Sequence, residues 1–125
     1  MPERGHTIAA GRAEAIFRAF DAKDIAALAA LATDDVRLQI GNAPVVEGKR
    51  AFVDSLEAFV ASVASFSHTV TEIWSDRNAL IAELSVHYTR LDGQELTLPC
   101  CNVFGLRDGL VADYRVYMDI NPVYA

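Results

Sequence analysis

The sequence predicts a single α+β domain in which three helices of the N-terminal half pack against an antiparallel sheet. Apolar residues recur at three- and four-residue spacings in the first third of the chain and again from Lys49. The second half then consists of four segments rich in Val, Ile, Thr, Tyr and Phe, separated by short polar turns. Helices followed by a run of strands are typical of α+β domains and not of doubly wound sheets. No glycine-rich phosphate loop follows a strand, so a nucleotide-binding fold is unsupported.

The chain of 125 residues has room for one domain, residues 1–125. A net charge of -6 disfavours nucleic acid and anionic membranes as partners, and no apolar run approaches the ~20 residues of a membrane-spanning helix. The first residues lack the apolar block of a signal peptide. Cys100 and Cys101 are adjacent, so they point to opposite faces of a strand and make neither a disulfide framework nor a metal motif. We therefore expect a cytoplasmic protein with reduced thiols and no metal site.

Three helices are predicted from apolar stripes and capping residues. Thr7 is the expected N-cap of the first helix, and Asp24 is the expected N-cap of a short second helix over 25–32. A third helix begins at Lys49. The residues of the first stripe are Ile8, Ala9, Ala13, Ile16, Phe17 and Phe20, and those of the third are Phe52, Val53, Leu56, Phe59, Val60 and Val63.

Six strands are expected. Residues 36–40 and 45–46 form a pair around the turn at 41–44, between the second and third helices. The four longer strands are predicted over 66–75, 79–91, 94–106 and 110–120.

The turn before the last strand decides which side chains share a face. As a three-residue hairpin loop, 107–109 pairs Leu106 with Leu110 and sets Asn102 opposite Tyr114. The face so formed is almost wholly apolar, and its members are Leu96, Leu98, Cys100, Asn102, Phe104, Tyr114, Val116 and Met118.

The turn at Asp92-Gly93 leaves two alternatives open. A two-residue turn, which the Asp-Gly pair favours, brings His87 and Glu83 onto the face of Asn102. A three-residue loop, which plain apolar alternation favours, reverses the strand. The residues brought inward are then Leu84, Val86 and Tyr88.

Polar side chains on an apolar face are the candidates for function. An unpaired amide in such a place costs about 1–3 kcal/mol, so Asn102 needs a partner such as the Tyr114 hydroxyl or a ligand. His87 is the expected proton carrier because histidine titrates near neutral pH. Glu83 is a candidate base, and His68 is a candidate ligand-binding residue at the start of its strand. The side chains expected to line an apolar pocket are Trp74, Phe104 and Met118.

The C-terminal stretch LTLPCCNVFGLRDGLVADYRVYMDINPVYA, with the helix and strand order before it, resembles the SnoaL-like branch of the nuclear transport factor 2-like superfamily. The resemblance covers the chain from about Thr7 to Tyr124. It implies a cone-shaped domain in which a strongly curved sheet wraps around the helices and leaves an apolar pocket open at one end. It also implies a homodimer through the outer face of the sheet. An apolar stripe of 79–91, left outside if His87 faces inward, supports that dimer.

The chain departs from the enzymes of this superfamily at their catalytic positions. The general-base aspartate of ketosteroid isomerase corresponds to Ile40 and its first-helix tyrosine to Ile16, whereas its protonated aspartic acid matches Asn102. Without that base, steroid-type isomerisation is not expected. The last-strand aspartate of limonene epoxide hydrolase falls at Val116, and its arginine–aspartate pair falls near residues 85 and 87, so its triad is absent.

Two functions from different classes follow. The first is a cofactor-independent isomerase, cyclase, hydratase or lyase acting on a small apolar, carbonyl-bearing molecule. The second is a non-catalytic domain that binds a small ligand or associates with protein. They differ in whether a proton carrier shares the pocket with Asn102.

Overall fold

The computed structural model describes residues 2–125, and the side chains of residues 11–125. Its elements, in chain order, are α1 (Pro2–Asp21), α2 (Ile25–Ala30), β1 (Ala32–Ile40), β2 (Val46–Glu47), α3 (Lys49–Ala61), β3 (Ser65–Ser75), β4 (Ala79–Thr89), β5 (Glu95–Arg107), β6 (Leu110–Tyr117) and α4 (Asn121–Tyr124). The α+β class is confirmed.

One sheet contains all six strands, in the order β2-β1-β6-β5-β4-β3. The sheet is mixed and not purely antiparallel, because β1 pairs with β6 in parallel while the other neighbours are antiparallel. Bulges after Val70 and after Gly105 add local bends to the strands that carry them. The sheet has open edges at β2 and β3 and covers the helices on its inner side.

The predicted helices are present, with changed ends. Asp24 caps α2 as expected, because its side-chain oxygen accepts a hydrogen bond from the Ala27 backbone N–H at 3.0 Å. The helix stops at Ala30, two residues early, since Ala32 already begins β1. α1 begins at Pro2, so Thr7 does not mark its start. A short α4 after the last strand was not predicted.

The core lies between the inner face of the sheet and the stripes of α1 and α3 that face it. Ile16 and Phe17 of α1 and Phe52 and Leu56 of α3 are all buried. The sheet contributes alternate residues of β4, namely Leu80, Ala82, Leu84, Val86 and Tyr88. No helix within residues 2–125 is long and apolar enough to cross a membrane.

The turn between β5 and β6 is one residue shorter than expected. Arg107 pairs with Leu110, and Asp108 and Gly109 both have positive φ, 54° and 79°. This is the conformation of a two-residue type I′ turn. The predicted pairing is therefore wrong, because Asn102 lies opposite Val116 and not Tyr114.

The predicted apolar face nevertheless survives. The shorter turn shifts the pairing of β5 with β6 by one residue, and the bulge between Gly105 and Leu106 shifts it by one more. Because side chains alternate between the two faces, a total shift of two residues leaves each side chain on its predicted face. Tyr114 pairs with Phe104 and still faces inward.

The turn between β4 and β5 follows the three-residue alternative. The Arg90 backbone N–H donates to the Gln94 carbonyl at 2.8 Å, which leaves residues 91–93 in the loop, and Gly93 has φ 89°. His87 therefore pairs with Thr97 on the outer face, and Glu83 pairs with Cys101 there. The placement of His87 and Glu83 beside Asn102 is wrong, because a one-residue change in loop length reverses a whole strand.

The same register overturns one argument for a dimer. The apolar side of β4 expected on the outside lies in the core, so it cannot be an association surface. The outer face carries Trp74 and Tyr117 instead, whose exposed fractions are 50% and 53%. These two aromatic residues are the outer-face features that a dimer would cover, and the dimer itself stays a prediction.

Candidate functional site

A cavity opens between the inner face of the sheet, α1 and α3. The space between the lining side chains is about 400 Å³ when the open solvent at the mouth is counted. Its apolar lining is Phe20, Leu38, Ile40, Leu56, Phe59, Val86, Val116 and Met118, and its polar lining is His68, Tyr88, Cys100, Asn102 and Tyr114. Among the described side chains, no acidic residue and no lysine or arginine lines this cavity. The site therefore suits a neutral ligand with a few polar atoms.

His68 is held at the cavity wall by the last residue of α1. Its Nδ1 lies 2.6 Å from Oδ1 of Asp21, and the His68 backbone N–H donates to the other carboxylate oxygen at 3.2 Å. The imidazole stacks on the ring of Phe17 with 5.0 Å between centroids. A carboxylate only accepts hydrogen bonds, so the proton of the neutral ring lies on Nδ1. Nε2 is left with a free lone pair, which is the form of a general base.

Burial and the carboxylate act in opposite directions on His68. Desolvation is the larger effect and lowers the pKa of His68 below its usual 6.5, while the hydrogen bond to Asp21 and its charge raise the pKa. The imidazole is therefore mainly neutral at pH 7. A base that is neutral at rest and stabilised by a carboxylate when it becomes charged suits reversible proton transfer.

A second polar group lies on the sheet side of the cavity. Asn102 is 2% exposed, and its Nδ2 donates to the Tyr114 hydroxyl oxygen at 3.3 Å. The Cys100 thiol donates to Oδ1 of Asn102 at 3.2 Å. The amide is therefore oriented from both ends, and the Tyr114 hydroxyl keeps its own hydrogen for another acceptor.

The Tyr114 hydroxyl and the Cys100 thiol remain protonated at neutral pH. Burial raises the pKa of Tyr114 well above its ordinary range and raises that of the Cys100 thiol to about 12. Cys100 is thus a donor and not a nucleophile. A hydrogen-bond chain from Cys100 through Asn102 to Tyr114 polarises the final hydroxyl and makes it a stronger donor.

Four of the predicted ligand-binding residues share this cavity: Asn102, Tyr114, Met118 and His68. Phe104 does not line it, because its ring lies in the core at 4.4 Å from the centroid of Tyr114 and supports that side chain. Trp74 is wrongly placed by the prediction. It lies opposite Ile81 on the outer side of the sheet and is half exposed.

His87 and Glu83 lie outside the cavity, with partners of their own. His87 contacts Thr97 through Nδ1 and Glu95 through Nε2, each at 2.9 Å. Glu83 accepts a hydrogen bond from the Thr71 hydroxyl at 3.2 Å. Neither side chain reaches a ligand in the cavity from this face.

Sequence reasoning missed Asp21 and left the position of Tyr88 open. Asp21 precedes His68 by 47 residues and looks like an ordinary acidic helix end, so no local signal marks it. Tyr88 was assigned to the site only by the three-residue alternative for the Asp92-Gly93 turn, which is the one that the structure adopts.

Ile40 and Val116 both line the cavity. These are the positions at which the resemblance puts the base of ketosteroid isomerase and an aspartate of the epoxide hydrolase. Their carboxylates are replaced here by apolar side chains, so any acid–base chemistry in this cavity has to come from a different wall. Within residues 11–125, no group of three His, Cys, Asp or Glu side chains is placed to hold a metal ion.

A family model described as the SnoaL-like domain matches residues 13–114. No curated protein matches the sequence. Solved structures that share the fold include an LEH-like epoxide hydrolase of M. tuberculosis (22% identity, 94% of this chain and 87% of that chain, TM-score 0.78). A SnoaL-like polyketide cyclase homologue from Jannaschia sp. CCS1 (16% identity, 94% and 89%, TM-score 0.82) shares it too. So does a polyketide cyclase homologue from Pseudomonas putida KT2440 (25% identity, 90% and 92%, TM-score 0.77).

Proposed function

Because the chain belongs to the SnoaL-like domain family, we propose that it is a cofactor-independent enzyme that moves a proton at a carbon next to a carbonyl group. The observation that carries the proposal is the 2.6 Å contact between Asp21 and His68, because His68 lines the same cavity as the Asn102–Tyr114 pair. A base and an oxyanion donor in one apolar cavity are the two groups that enolisation needs.

In the proposed reaction, Nε2 of His68 takes the proton from the carbon beside the carbonyl. The electron pair of that C–H bond moves to the carbonyl oxygen, which accepts a hydrogen bond from the Tyr114 hydroxyl. Asp21 stabilises the imidazolium that forms. Return of the proton to another carbon of the enolate is an isomerisation, and attack of the enolate carbon on a second carbonyl of the same molecule is a cyclisation.

In the proposed role, the two groups make contributions of known size. A preorganised donor in a site that excludes water contributes ~3–4 kcal/mol to an oxyanion transition state. General base catalysis adds about 100-fold or more in rate. The apolar lining raises both effects, because little solvent competes for the charge that develops.

The test is deuterium incorporation next to the carbonyl of small cyclic and aryl ketones in D2O, followed by NMR. We expect the wild-type protein to catalyse the exchange and His68→Gln to lower its rate by about 100-fold. Tyr114→Phe should lower the rate while ketone binding remains measurable. The matched controls are His87→Gln and Tyr117→Phe on the outer face, which should leave exchange unchanged.

Two results would contradict the proposal. Exchange in the wild type that His68→Gln leaves intact would remove the base from the mechanism. Ketone binding without any exchange would indicate the alternative function, a non-catalytic ligand-binding domain.

A further inference from the structure

Tyr88 is a buried tyrosine whose hydroxyl has a poor partner. The side chain is 2% exposed and lines the cavity, and its O–H donates to Sδ of Met118 at 3.6 Å. A thioether sulfur is a weak acceptor. Within residues 11–125, the structure shows no stronger acceptor for this hydroxyl. Buried tyrosine hydroxyls usually have a good partner, so the contact leaves hydrogen-bonding capacity unused.

The Tyr88 hydroxyl keeps its proton over the working pH range. Burial raises the pKa of Tyr88 above its ordinary value, and the neighbouring Cys100 and Tyr124 add to the effect. The ring is fixed by edge contacts with Phe59 and Phe66, at centroid distances of 6.4 and 6.3 Å. A fixed ring with a weakly engaged O–H can donate to a ligand at little entropic cost.

The cavity therefore contains two tyrosine donors of the same kind. The Tyr114 hydroxyl accepts from Asn102 and has a free hydrogen, and the Tyr88 hydroxyl is held only by sulfur. No carboxylate or ammonium side chain among the described residues faces them. Two donors without a fixed charge match a neutral ligand that offers two acceptor oxygens.

We propose that Tyr88 is a second ligand-binding hydroxyl and that the ligand is a neutral dicarbonyl compound, with one oxygen bound by Tyr114 and the other by Tyr88. On binding, Tyr88 exchanges the Met118 sulfur for a carbonyl oxygen. This inference deepens the proposed function, on which it rests for the role of Tyr114. It makes Tyr88 and Met118 determinants of specificity.

The test compares ligands that differ by one carbonyl. The probes are 2,2-dimethylcyclohexane-1,3-dione and cyclohexane-1,4-dione. Each dione is compared with the monoketone that has the same ring and one carbonyl group fewer. Calorimetry measures the dissociation constants. We expect Tyr88→Phe to weaken binding of at least one dione by about threefold to tenfold and to change monoketone binding less than twofold. Tyr114→Phe should weaken both classes.

Met118→Leu gives an independent measurement, because leucine keeps the volume and removes the sulfur acceptor. The Tyr88 hydroxyl then has no internal partner to give up, so dione binding should tighten by about twofold or more. Tyr117→Phe, on the outer face, is the control and should change neither ligand class.

The inference is overturned if Tyr88→Phe affects diones and monoketones equally, if it affects neither dione, or if Met118→Leu weakens dione binding. These outcomes are separate from failure of the proposed function. Deuterium exchange with His68→Gln tests the base, and the binding ratios are measured whether or not any proton is transferred.

Discussion

Replacement of Asn102 by leucine and by alanine separates a functional amide from a structural one. The side chain is 2% exposed and has two hydrogen-bond partners, the Tyr114 hydroxyl at 3.3 Å and the Cys100 thiol at 3.2 Å. Leucine has nearly the same size and cannot hydrogen-bond. Alanine removes the same hydrogen bonds and also leaves a space.

The magnitudes follow from these contacts. The amide–hydroxyl bond contributes about 1 kcal/mol net, and the thiol contact contributes less, since S–H is a weak donor. Tyr114 and Cys100 are 3% and 6% exposed, so loss of the amide leaves buried polar groups without that partner, at a cost of about 1–3 kcal/mol. A buried leucine side chain contributes about 1.5–3 kcal/mol of apolar burial, which offsets the loss. We therefore expect Asn102→Leu to change the free energy of unfolding by less than about 1 kcal/mol.

Alanine gains no such compensation. We expect Asn102→Ala to be less stable than Asn102→Leu by about 2 kcal/mol, because the vacated space adds a cavity penalty to the lost contacts. Urea denaturation at 25 °C, followed by far-UV circular dichroism, measures both values. Cys101→Ala is the control on the same strand, with its side chain on the outer face, and should cost less than about 1 kcal/mol.

The same two variants are then tested for stabilisation by a bound ketone in a thermal melt. Both should lose most of it, because Tyr114 is no longer polarised or oriented by the amide. A loss of more than about 3 kcal/mol in Asn102→Leu, together with retained ketone binding, would refute this reasoning and show that the amide serves the fold.

Two further predictions concern His68 and the outer face. The pKa of His68 is lowered in the folded protein, so the unfolded chain binds a proton more readily as pH falls. The contribution of neutral His68 to the free energy of unfolding is therefore present above about pH 6.5 and is lost at lower pH. Between pH 7 and pH 5, the free energy of unfolding should decline less in His68→Gln than in the wild type. A steeper decline in His68→Gln would contradict the lowered pKa of His68. For the outer face, we expect a homodimer. Val103 lies there between Ile81 and Arg115 of the neighbouring strands, and Val103→Glu should convert the dimer to a monomer in light scattering at micromolar concentration. A monomeric wild type would rule the dimer out.

Local chemistry accounts for the parts of the fold that were correctly predicted. The spacing of apolar residues predicted α1 and α3, and Asp24 predicted the start of α2. Both signals are local, because caps and amphipathic faces depend on residues within one or two helical turns. Alternation marked the strands for the same reason. Asn102 was recognised as a buried polar group, because an amide among apolar neighbours on one face is visible in the sequence itself.

The register of β4 was not determined by the sequence. Asp92-Gly93 is compatible with a two- or a three-residue loop, and the energy difference between them is small beside the burial of a whole strand face. Packing of Leu84, Val86 and Tyr88 against the helices decides in favour of the longer loop. That one residue moves a histidine out of the site and a tyrosine into it.

The amino-acid sequence by itself determined the α+β class, the helix stripes and the polar position at Asn102, because each depends on neighbours along the chain. Only the tertiary structure decided that His68, and not His87, is the histidine at the cavity. Its partner Asp21 is 47 residues away, and the contact between them exists only once α1 packs against β3. A proton carrier is defined by its partner and its burial, and both are properties of the packed chain.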